Sequence, residues 1–298
     1  MNLRVFTWRT YQFLNGKAYH VLLRLPLSNG VIHQLRKIIW RLAPSIIPNP
    51  VLANGSQLYW HPSSYGDAVE YSLGKYESDT CQLFQKLVCA GMVTVDIGAS
   101  IGYYTLLFAK TVGKNGRVYA FEPQPWNCDV LRKSACTNGY DNIVVVQKAV
   151  SNKSGEVELH FTEAGDGEAS LYTRRRPNTS EQRIKVEAIT LDEFFESEGW
   201  PPIHVIKMDV EGAEKAALEG MRQLVQRNPQ LKLVMEFWPK VQAAAGVSPE
   251  ELIYTLIEVG FVKFWEIQST LKPLNITHDI PHLVQMARDG RVNILCEK

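Results

Sequence analysis

The sequence predicts an α/β protein with a Rossmann-like, mostly parallel sheet, and three observations support this prediction. Short apolar runs rich in Val and Ile alternate with helix-like segments from about residue 92 onward, as expected for buried parallel strands. A turn with two glycines follows the first run at 98–102, where Rossmann-like folds bend from a strand into a helix. Two strand-like runs without a helix-like segment between them close the chain, and they predict an antiparallel edge strand.

The alternation defines the body of the predicted sheet. Strands are predicted at 92–98, 116–122, 143–150, 203–210 and 231–238. Helices are predicted at 102–112, 124–138, 191–198, 213–228 and 248–259. This succession favours parallel pairing with right-handed crossovers. We therefore expect the polar residues that follow the strands to meet at one rim of the sheet.

Two regions break the alternation. Strand-like pieces at 157–161 and 184–189 predict an inserted β-excursion, whose tip carries Arg174–Arg176. This basic tip is interpreted either as solvated or as a grip on an acidic acceptor. The closing runs at 261–268 and 292–297 predict an antiparallel hairpin at the sheet edge, because no helical pattern is evident between them.

The N-terminal fifth of the chain differs from the rest in charge. Residues 1–66 contain seven basic residues and no acid. An amphipathic helix is predicted at 31–42, followed by a Pro- and Gly-rich connector. We therefore predict a basic extension, helical and then irregular, over residues 1–70, and one α/β domain over 71–298. The extension is interpreted either as a contact with an anionic membrane surface or as a segment that packs over the domain.

Composition excludes several classes of protein. The net charge is +1, which does not favour a nucleic-acid partner. The five cysteines show no CxxC spacing and are odd in number, so neither a zinc site nor a disulfide framework is predicted. No run of about 18 apolar residues and no signal-peptide pattern is evident. These features predict a cytoplasmic protein, and peripheral contact with a membrane is the alternative.

The turn after the first strand is the strongest local signal. Asp96 ends the strand, and Gly98, Ala99, Ser100 and Gly102 lead into a helix. The spacing is D-x-G-x-x-x-G, whereas a dinucleotide site usually has G-x-G-x-x-G. A carboxylate here would repel a pyrophosphate but attract the ammonium and sulfonium groups of S-adenosylmethionine. The charge therefore favours this methyl donor, and an NAD(P)-dependent oxidoreductase is the alternative.

Further polar residues follow the next strands. Glu122 lies about 20 residues beyond the glycine turn, where an acid conventionally binds ribose hydroxyls. Pro123 and Asn127 follow it. Asp209 ends the fourth predicted strand and should lie on the same rim.

Methyl transfer to a hydroxyl gains from a base that takes the proton, and three residues near that strand end are candidates. These are Asp209, Glu211 and Lys207, of which the lysine is expected to act as a positioning charge. Asp209 with Glu211 could also hold Mg²⁺, but Glu211 could simply complement the following helix, and no metal is predicted. Three upstream residues are candidates for an acceptor pocket: His61, Glu70 and Glu77.

Several motifs together resemble the FkbM family of S-adenosylmethionine-dependent methyltransferases. They are VDIGASIGYYT at 95–105, FEPQP at 121–125, KAVSN at 148–152, IKMDVEGAE at 206–214, GKYE at 74–77 and Glu236-Phe237. The resemblance covers about residues 70–270 and implies a class I methyltransferase sheet.

The resemblance also implies roles for particular residues. Asp96 with the two glycines would hold the methionine part of the cofactor, and Glu122 the ribose. Ala149 would border the adenine, and Asp209 would face the methyl group. Ser100 stands where the family usually has Asn. The family methylates hydroxyl oxygens of sugars, polyketides and related metabolites, which implies a small-molecule or glycan acceptor; a silent cofactor-binding scaffold remains a further alternative.

Overall fold

The computed structural model describes residues 51–52, 54–60, 71, 74, 76–162, 169–172, 181–286 and 291–298. The predicted helix at 31–42, the basic tip at Arg174–Arg176 and the candidates His61 and Glu70 lie outside these residues.

Helices and strands alternate along the described chain. The helices are α1 (Ser78–Leu87), α2 (Tyr103–Val112), α3 (Pro125–Asn138), α4 (Leu191–Ser197), α5 (Glu214–Glu219), α6 (Arg222–Arg227), α7 (Pro239–Ala244), α8 (Pro249–Val259) and α9 (Ile276–Met286). The strands are β1 (Val93–Ile97), β2 (Arg117–Phe121), β3 (Ile143–Val146), β4 (Ala149–Val150), β5 (Gly155–Thr162), β6 (Glu181–Ile189), β7 (Val205–Met208), β8 (Lys232–Phe237), β9 (Lys263–Ile267), β10 (Leu271–Leu274) and β11 (Val292–Glu297).

The main sheet has the strand order β10-β9-β11-β8-β7-β1-β2-β3. Strands β3, β2, β1, β7 and β8 pair in parallel, whereas β11 pairs antiparallel with both β8 and β9, and β10 antiparallel with β9. A second sheet of order β4-β6-β5 is formed by the predicted β-excursion. The predicted fold class is therefore confirmed, including the antiparallel edge strand. The register places Asp96 of β1 beside Lys207 of β7.

Both faces of the main sheet are covered by helices, because its central strands are apolar on both sides. Within β8, Leu233 and Met235 belong to the core layer beneath α8, while Val234 belongs to the opposite layer that contains Phe108 of α2. Burial of one such side chain contributes roughly 1.5–3 kcal/mol to stability. The packed layers hold the strand ends, and hence the rim, in place.

The predicted antiparallel pairing of the two closing strands is confirmed, but the prediction that they form a simple hairpin at the sheet edge is wrong. Strand β10 and helix α9 separate β9 from β11, which is inserted between β8 and β9. Pro281 lies inside α9 and disfavours helix locally. The spacing of Ile276, Ile280 and Leu283 nevertheless buries one apolar face, and this burial outweighs the local preference.

Two predicted elements are divided in the structure. The segment 143–150 forms β3 and then β4, because Ala149 and Val150 leave the main sheet to pair with β6. The predicted helix 213–228 is split into α5 and α6 near Gly220. A Cβ on Gly220 would lie 2.2 Å from the carbonyl oxygen of Ser151, so only a residue without a side chain fits against the backbone that follows β4.

Part of the predicted connector packs on the domain. The Asn138 side chain of α3 bonds both to the Gln57 amide, at 2.8 Å, and to the Gln57 carbonyl, at 2.7 Å. Leu52 and Leu58 are buried. The domain boundary near residue 70 stays a prediction. Among the described residues, no helix combines the length and the apolar character needed to cross a membrane.

Candidate active site

A cavity lies at the carboxyl ends of the parallel strands, where open α/β sheets bind ligands. We call it the donor cavity. The predicted site residues that line it are Gly98, Ala99, Ser100, Glu122, Pro123, Asn127, Ala149, Lys207, Asp209 and Glu211. Asp96 and Gly102, which were also predicted, are not among its lining residues. The strand order thus brings most of the predicted site residues together from four separate motifs.

Gly98 is where the backbones of two motifs meet. Its φ is +76°, and a Cβ at this position would lie 1.8 Å from the carbonyl oxygen of Asp209. No side chain fits there, and the left-handed φ would also strain any residue that carries a Cβ. Gly98 and Ala99 both donate their amides to the Phe121 carbonyl at 3.0 Å. The glycine turn is therefore held against β2 on one side and against the loop after β7 on the other.

Asp96 has a different neighbour from the one predicted. Its carboxylate is fully buried, accepts a 2.5 Å hydrogen bond from Thr105 Oγ1, and lies 3.8 Å from Lys207 Nζ. Burial raises the pKa of Asp96, although the Lys207 charge opposes this shift. The cation beside this carboxylate is thus a lysine of the chain, and Asp96 is not among the residues that line the donor cavity. The sequence pattern identified the charge pairing but not its partner.

Lys207 joins the two acids of β1 and β7. Its ammonium lies 3.4 Å from Asp209 Oδ2 and 3.3 Å from the Gly98 carbonyl. Burial alone would lower the pKa of Lys207, but Asp209 and Asp96 outweigh it and the net pKa is raised. Lys207 therefore stays protonated at neutral pH and holds Asp209 in place, which suits a positioning charge and excludes it as a base.

Glu122 is fixed by a set of hydrogen bonds at the end of β2. Its Oε2 accepts from the Ser100 amide at 2.8 Å, and its Oε1 accepts from the Gln124 amide at 2.9 Å and from Asn127 Nδ2 at 3.2 Å. Burial raises the pKa of Glu122, and these bonds to its charged form oppose the shift. The carboxylate is preorganised in the wall of the donor cavity, and two oxygens suit the vicinal diol of a ribose.

The far end of the cavity is apolar. Ala149 and Val150 of β4, Leu159 of β5, and Leu171 line it. The second sheet therefore closes this end, and an aromatic ring such as adenine could pack there. Ala149 thus lines the cavity, and its contact with the adenine stays a prediction.

The opposite end is acidic. Oxygen atoms of Asp209, Glu211 and Glu236 lie within 4.8 Å of one another. Burial, Asp209 and Glu211 raise the pKa of Glu236 to about 10, so Glu236 holds a proton at neutral pH. Arg291 lies 3.2 Å from Glu236 Oε1. The guanidinium already supplies a cation beside this cluster, so we assign no metal role.

Several site residues were not predicted as such. Tyr71, Tyr76, Tyr103 and Tyr104 form an aromatic wall of the donor cavity, in which the rings of Tyr71 and Tyr103 stack with centroids 4.5 Å apart. Arg291, at the start of β11, also lines the cavity. The adjacent tyrosines after the glycine turn were a usable signal, since the first turn of α2 faces the cavity. No signal in the sequence indicated Arg291, because its position depends on the insertion of β11 beside β8.

The chemistry of these residues fits S-adenosylmethionine. The Glu122 carboxylate could bind the ribose diol. The apolar end of the cavity could hold the adenine. The carboxylates at the other end would attract the sulfonium and ammonium groups. A pyrophosphate would be repelled by the carboxylates of this acidic end, where Lys207 is already paired with Asp209. Lys148 of the lining likewise pairs with Glu187 at 2.9 Å.

A family model describing the methyltransferase FkbM domain matches residues 96–286. The chain belongs to the FkbM methyltransferase family. It is therefore an S-adenosylmethionine-dependent methyltransferase, and the oxidoreductase alternative has no support from this match. The family assignment confirms the resemblance seen in the motifs.

Two relatives and one solved structure illustrate what this FkbM methyltransferase is similar to. The hexuronic acid methyltransferase AglP of Haloferax volcanii is 26% identical over 183 residues, covering 61% of this chain and 68% of that protein. The 2-O-methyltransferase NoeI of Sinorhizobium fredii is 28% identical over 144 residues, covering 44% of this chain and 58% of that protein. A crystal structure of methyltransferase FkbM from Methylobacillus flagellatus gives a TM-score of 0.42 at 15% identity, over 79% of this chain and 54% of that one.

Proposed function

We propose that this FkbM methyltransferase methylates a hydroxyl oxygen of a sugar or secondary-metabolite acceptor. The observation that carries the proposal is the state of Asp209. Its Oδ2 is held by Lys207, while its Oδ1 has no hydrogen-bond partner among the residues the structure describes. Oδ1 is buried and unsatisfied, so an acceptor hydroxyl that reaches it would supply the missing hydrogen bond, and the carboxylate could then take the hydroxyl proton.

The chain's own residues divide the work along the donor cavity. When bound, S-adenosylmethionine supplies an electrophilic methyl group. Glu122 binds the ribose diol, and Gly98 lets the backbone approach the donor closely. Asp209 Oδ1 receives the hydroxyl proton, and Lys207 compensates the charge of Asp209 before that transfer. Positioning of the acceptor next to the methyl group accounts for much of the remaining rate enhancement.

The names of the two relatives support the sugar class of acceptor. AglP is a hexuronic acid methyltransferase and NoeI a 2-O-methyltransferase. Since the match spans little more than half of NoeI, the acceptor is proposed here by similarity and by the polar character of the rim. A secondary-metabolite hydroxyl is the second class that the family admits.

The proposal is tested by mass spectrometry of cell extract incubated with the enzyme and deuteromethyl-labelled S-adenosylmethionine. We expect a labelled ether on a sugar or secondary-metabolite hydroxyl. Asp209→Asn should lower kcat by roughly 10²–10⁴-fold with donor affinity retained. Asp129→Asn on α3 is the matched control, because Asp129 is exposed and pairs only with Arg132 among the described residues. Label found solely on nitrogen or carbon, or full activity of Asp209→Asn, would contradict the proposal.

A further inference from the structure

A second depression lies on the same rim, beyond the donor cavity, and we call it the edge groove. It is lined by three short segments: Glu77–Thr80 at the start of α1, Glu266–Gln268 at the end of β9, and Arg291–Asn293 at the start of β11. Since β11 runs antiparallel to β9 and β8, the start of β11 and the end of β9 lie at the same rim. The edge groove therefore continues the line of strand ends that forms the donor cavity.

The two depressions meet at Arg291, which lines both. They are also joined through Glu77, whose Oε2 accepts a 2.7 Å hydrogen bond from the hydroxyl of Tyr104, a residue of the donor cavity wall. A molecule that reaches Asp209 from the edge side would thus lie along the edge groove.

The floor of the groove is held rigidly. Asn293 Nδ2 donates to Glu77 Oε2 and to Thr80 Oγ1, both at 2.9 Å. Glu77 itself has a left-handed φ of 39°, a conformation that these bonds maintain. The groove is therefore preorganised, which lowers the entropic cost of binding a ligand there.

Polar side chains of α1 and of the segment after β9 line the groove. Ser78 is exposed and Asp79 half-buried, and neither side chain bonds to another side chain among the described residues. Gln268 is exposed and bonds to Glu266. A carboxylate, a hydroxyl and an amide along one groove match the closely spaced hydroxyl groups of a sugar ring, since each carboxylate can accept from two neighbouring hydroxyls.

The charges around the groove favour a neutral ligand. Arg291 keeps its charge, because the Glu236 side chain 3.2 Å away is protonated. Three carboxyl side chains line the groove against this one guanidinium: Glu77, Asp79 and Glu266. Glu266 lies 3.8 Å from both Lys272 and His282. The carboxylates of Glu77 and Asp79 have no cation within ion-pair distance among the described residues. An anionic sugar ring bound here would be repelled by these two carboxylates.

We infer that the edge groove binds a neutral, polyhydroxylated sugar ring of the acceptor, with Asp79 accepting hydrogen bonds from ring hydroxyls. This inference rests on the proposed function, since it names the acceptor class and its subsite. It places recognition of the acceptor on α1 and β9, away from the residues that hold the donor.

Binding is measured by saturation-transfer difference NMR with methyl β-glucopyranoside in the presence of S-adenosylhomocysteine. Wild type should bind the pyranoside, and Asp79→Asn should weaken binding roughly tenfold, because a hydrogen bond to a charged group is lost. Gln268→Ala, at an exposed position, should weaken it by a smaller factor. Methyl β-glucuronopyranoside should bind more weakly than the neutral pyranoside.

The matched control is Glu250→Gln, which removes an exposed carboxylate from the first turn of another helix, α8. It should leave sugar binding unchanged, and all variants should bind S-adenosylhomocysteine as the wild type does. Absence of pyranoside binding by the wild type, equal binding by Asp79→Asn, or tighter binding of the glucuronide would overturn the inference.

The labelled product tests the proposed function independently of the sugar-binding measurement. A labelled non-sugar hydroxyl together with no pyranoside binding would remove the sugar inference and leave the methyltransferase proposal standing. If pyranoside binding depends on Asp79 but the label is found on nitrogen or carbon alone, the proposed O-methylation would be removed and the sugar subsite would stand.

Discussion

The two halves of the rim are built in different ways. The donor half, over β2, β1 and β7, is made by short motifs in which each polar residue directly follows a strand. The acceptor half, over β8, β11 and β9, is assembled from residues far apart in the chain, such as Glu77, Glu236 and Arg291. In the donor half the charges are paired inside the protein, whereas the acceptor half retains a protonated acid and two carboxylates without cations. The comparison indicates that the donor half depends on close packing and on charges paired inside the protein, whereas the acceptor half depends on charges that lack such partners.

The largest expected effect is that of Gly98→Ala in the donor half. The added Cβ would overlap the Asp209 carbonyl, 1.8 Å away. The free energy of unfolding should fall by about 5 kcal/mol or more, as for other severe clashes, with donor binding lost. Gly139→Ala is the matched control, since Gly139 has a φ of +67° but open space around it; it should cost only about 1–2 kcal/mol of strain. Equal costs, measured by thermal and urea unfolding, would show that the close approach at Gly98 is not a structural requirement.

Lys207→Met should have the next largest effect. It leaves the buried Asp96 carboxylate without its cation, and breaking such a pair costs about 3–5 kcal/mol. Asp96→Asn combined with Lys207→Met should recover part of that loss, because the fully buried charge is gone and only that of the less buried Asp209 stays without its cation. A double variant no more stable than Lys207→Met in urea unfolding would mean that packing, and not charge, sets the cost.

A smaller effect is expected from Glu236→Gln in the acceptor half. The pKa of Glu236 is raised to about 10 in the folded protein, above its unfolded value near 4.3. Its contribution to stability is therefore complete below about pH 4 and is lost as pH rises toward 10. The amide mimics the protonated acid, so Glu236→Gln should exceed the wild type in stability by at least about 1.4 kcal/mol at pH 9, the equivalent of one pKa unit.

The difference in melting temperature between Glu236→Gln and wild type should shrink toward pH 5. A difference independent of pH would indicate that Glu236 is ionised in the folded protein and fully compensated by Arg291.

The same contrast explains how much could be predicted from the sequence. The glycine turn, Glu122 and Asp209 follow their strands directly, so periodicity and charge located them on one rim. The partner of Asp96 was missed because the β1–β7 register, which brings Lys207 beside it, is a long-range feature. Arg291 and the edge groove could not be predicted, because they depend on the insertion of β11 between β8 and β9 and on a helix with an internal proline.

The central claim is that the donor binds against the glycine turn with its ribose on Glu122. The most direct measurement is isothermal titration of S-adenosylmethionine into wild type, Glu122→Ala and the control Asp129→Asn. We predict that the wild type and the control bind alike, and that Glu122→Ala raises Kd by at least about tenfold, since hydrogen bonds to a charged group are lost. Unchanged affinity in Glu122→Ala, or binding of a nicotinamide nucleotide in place of the donor, would contradict the account.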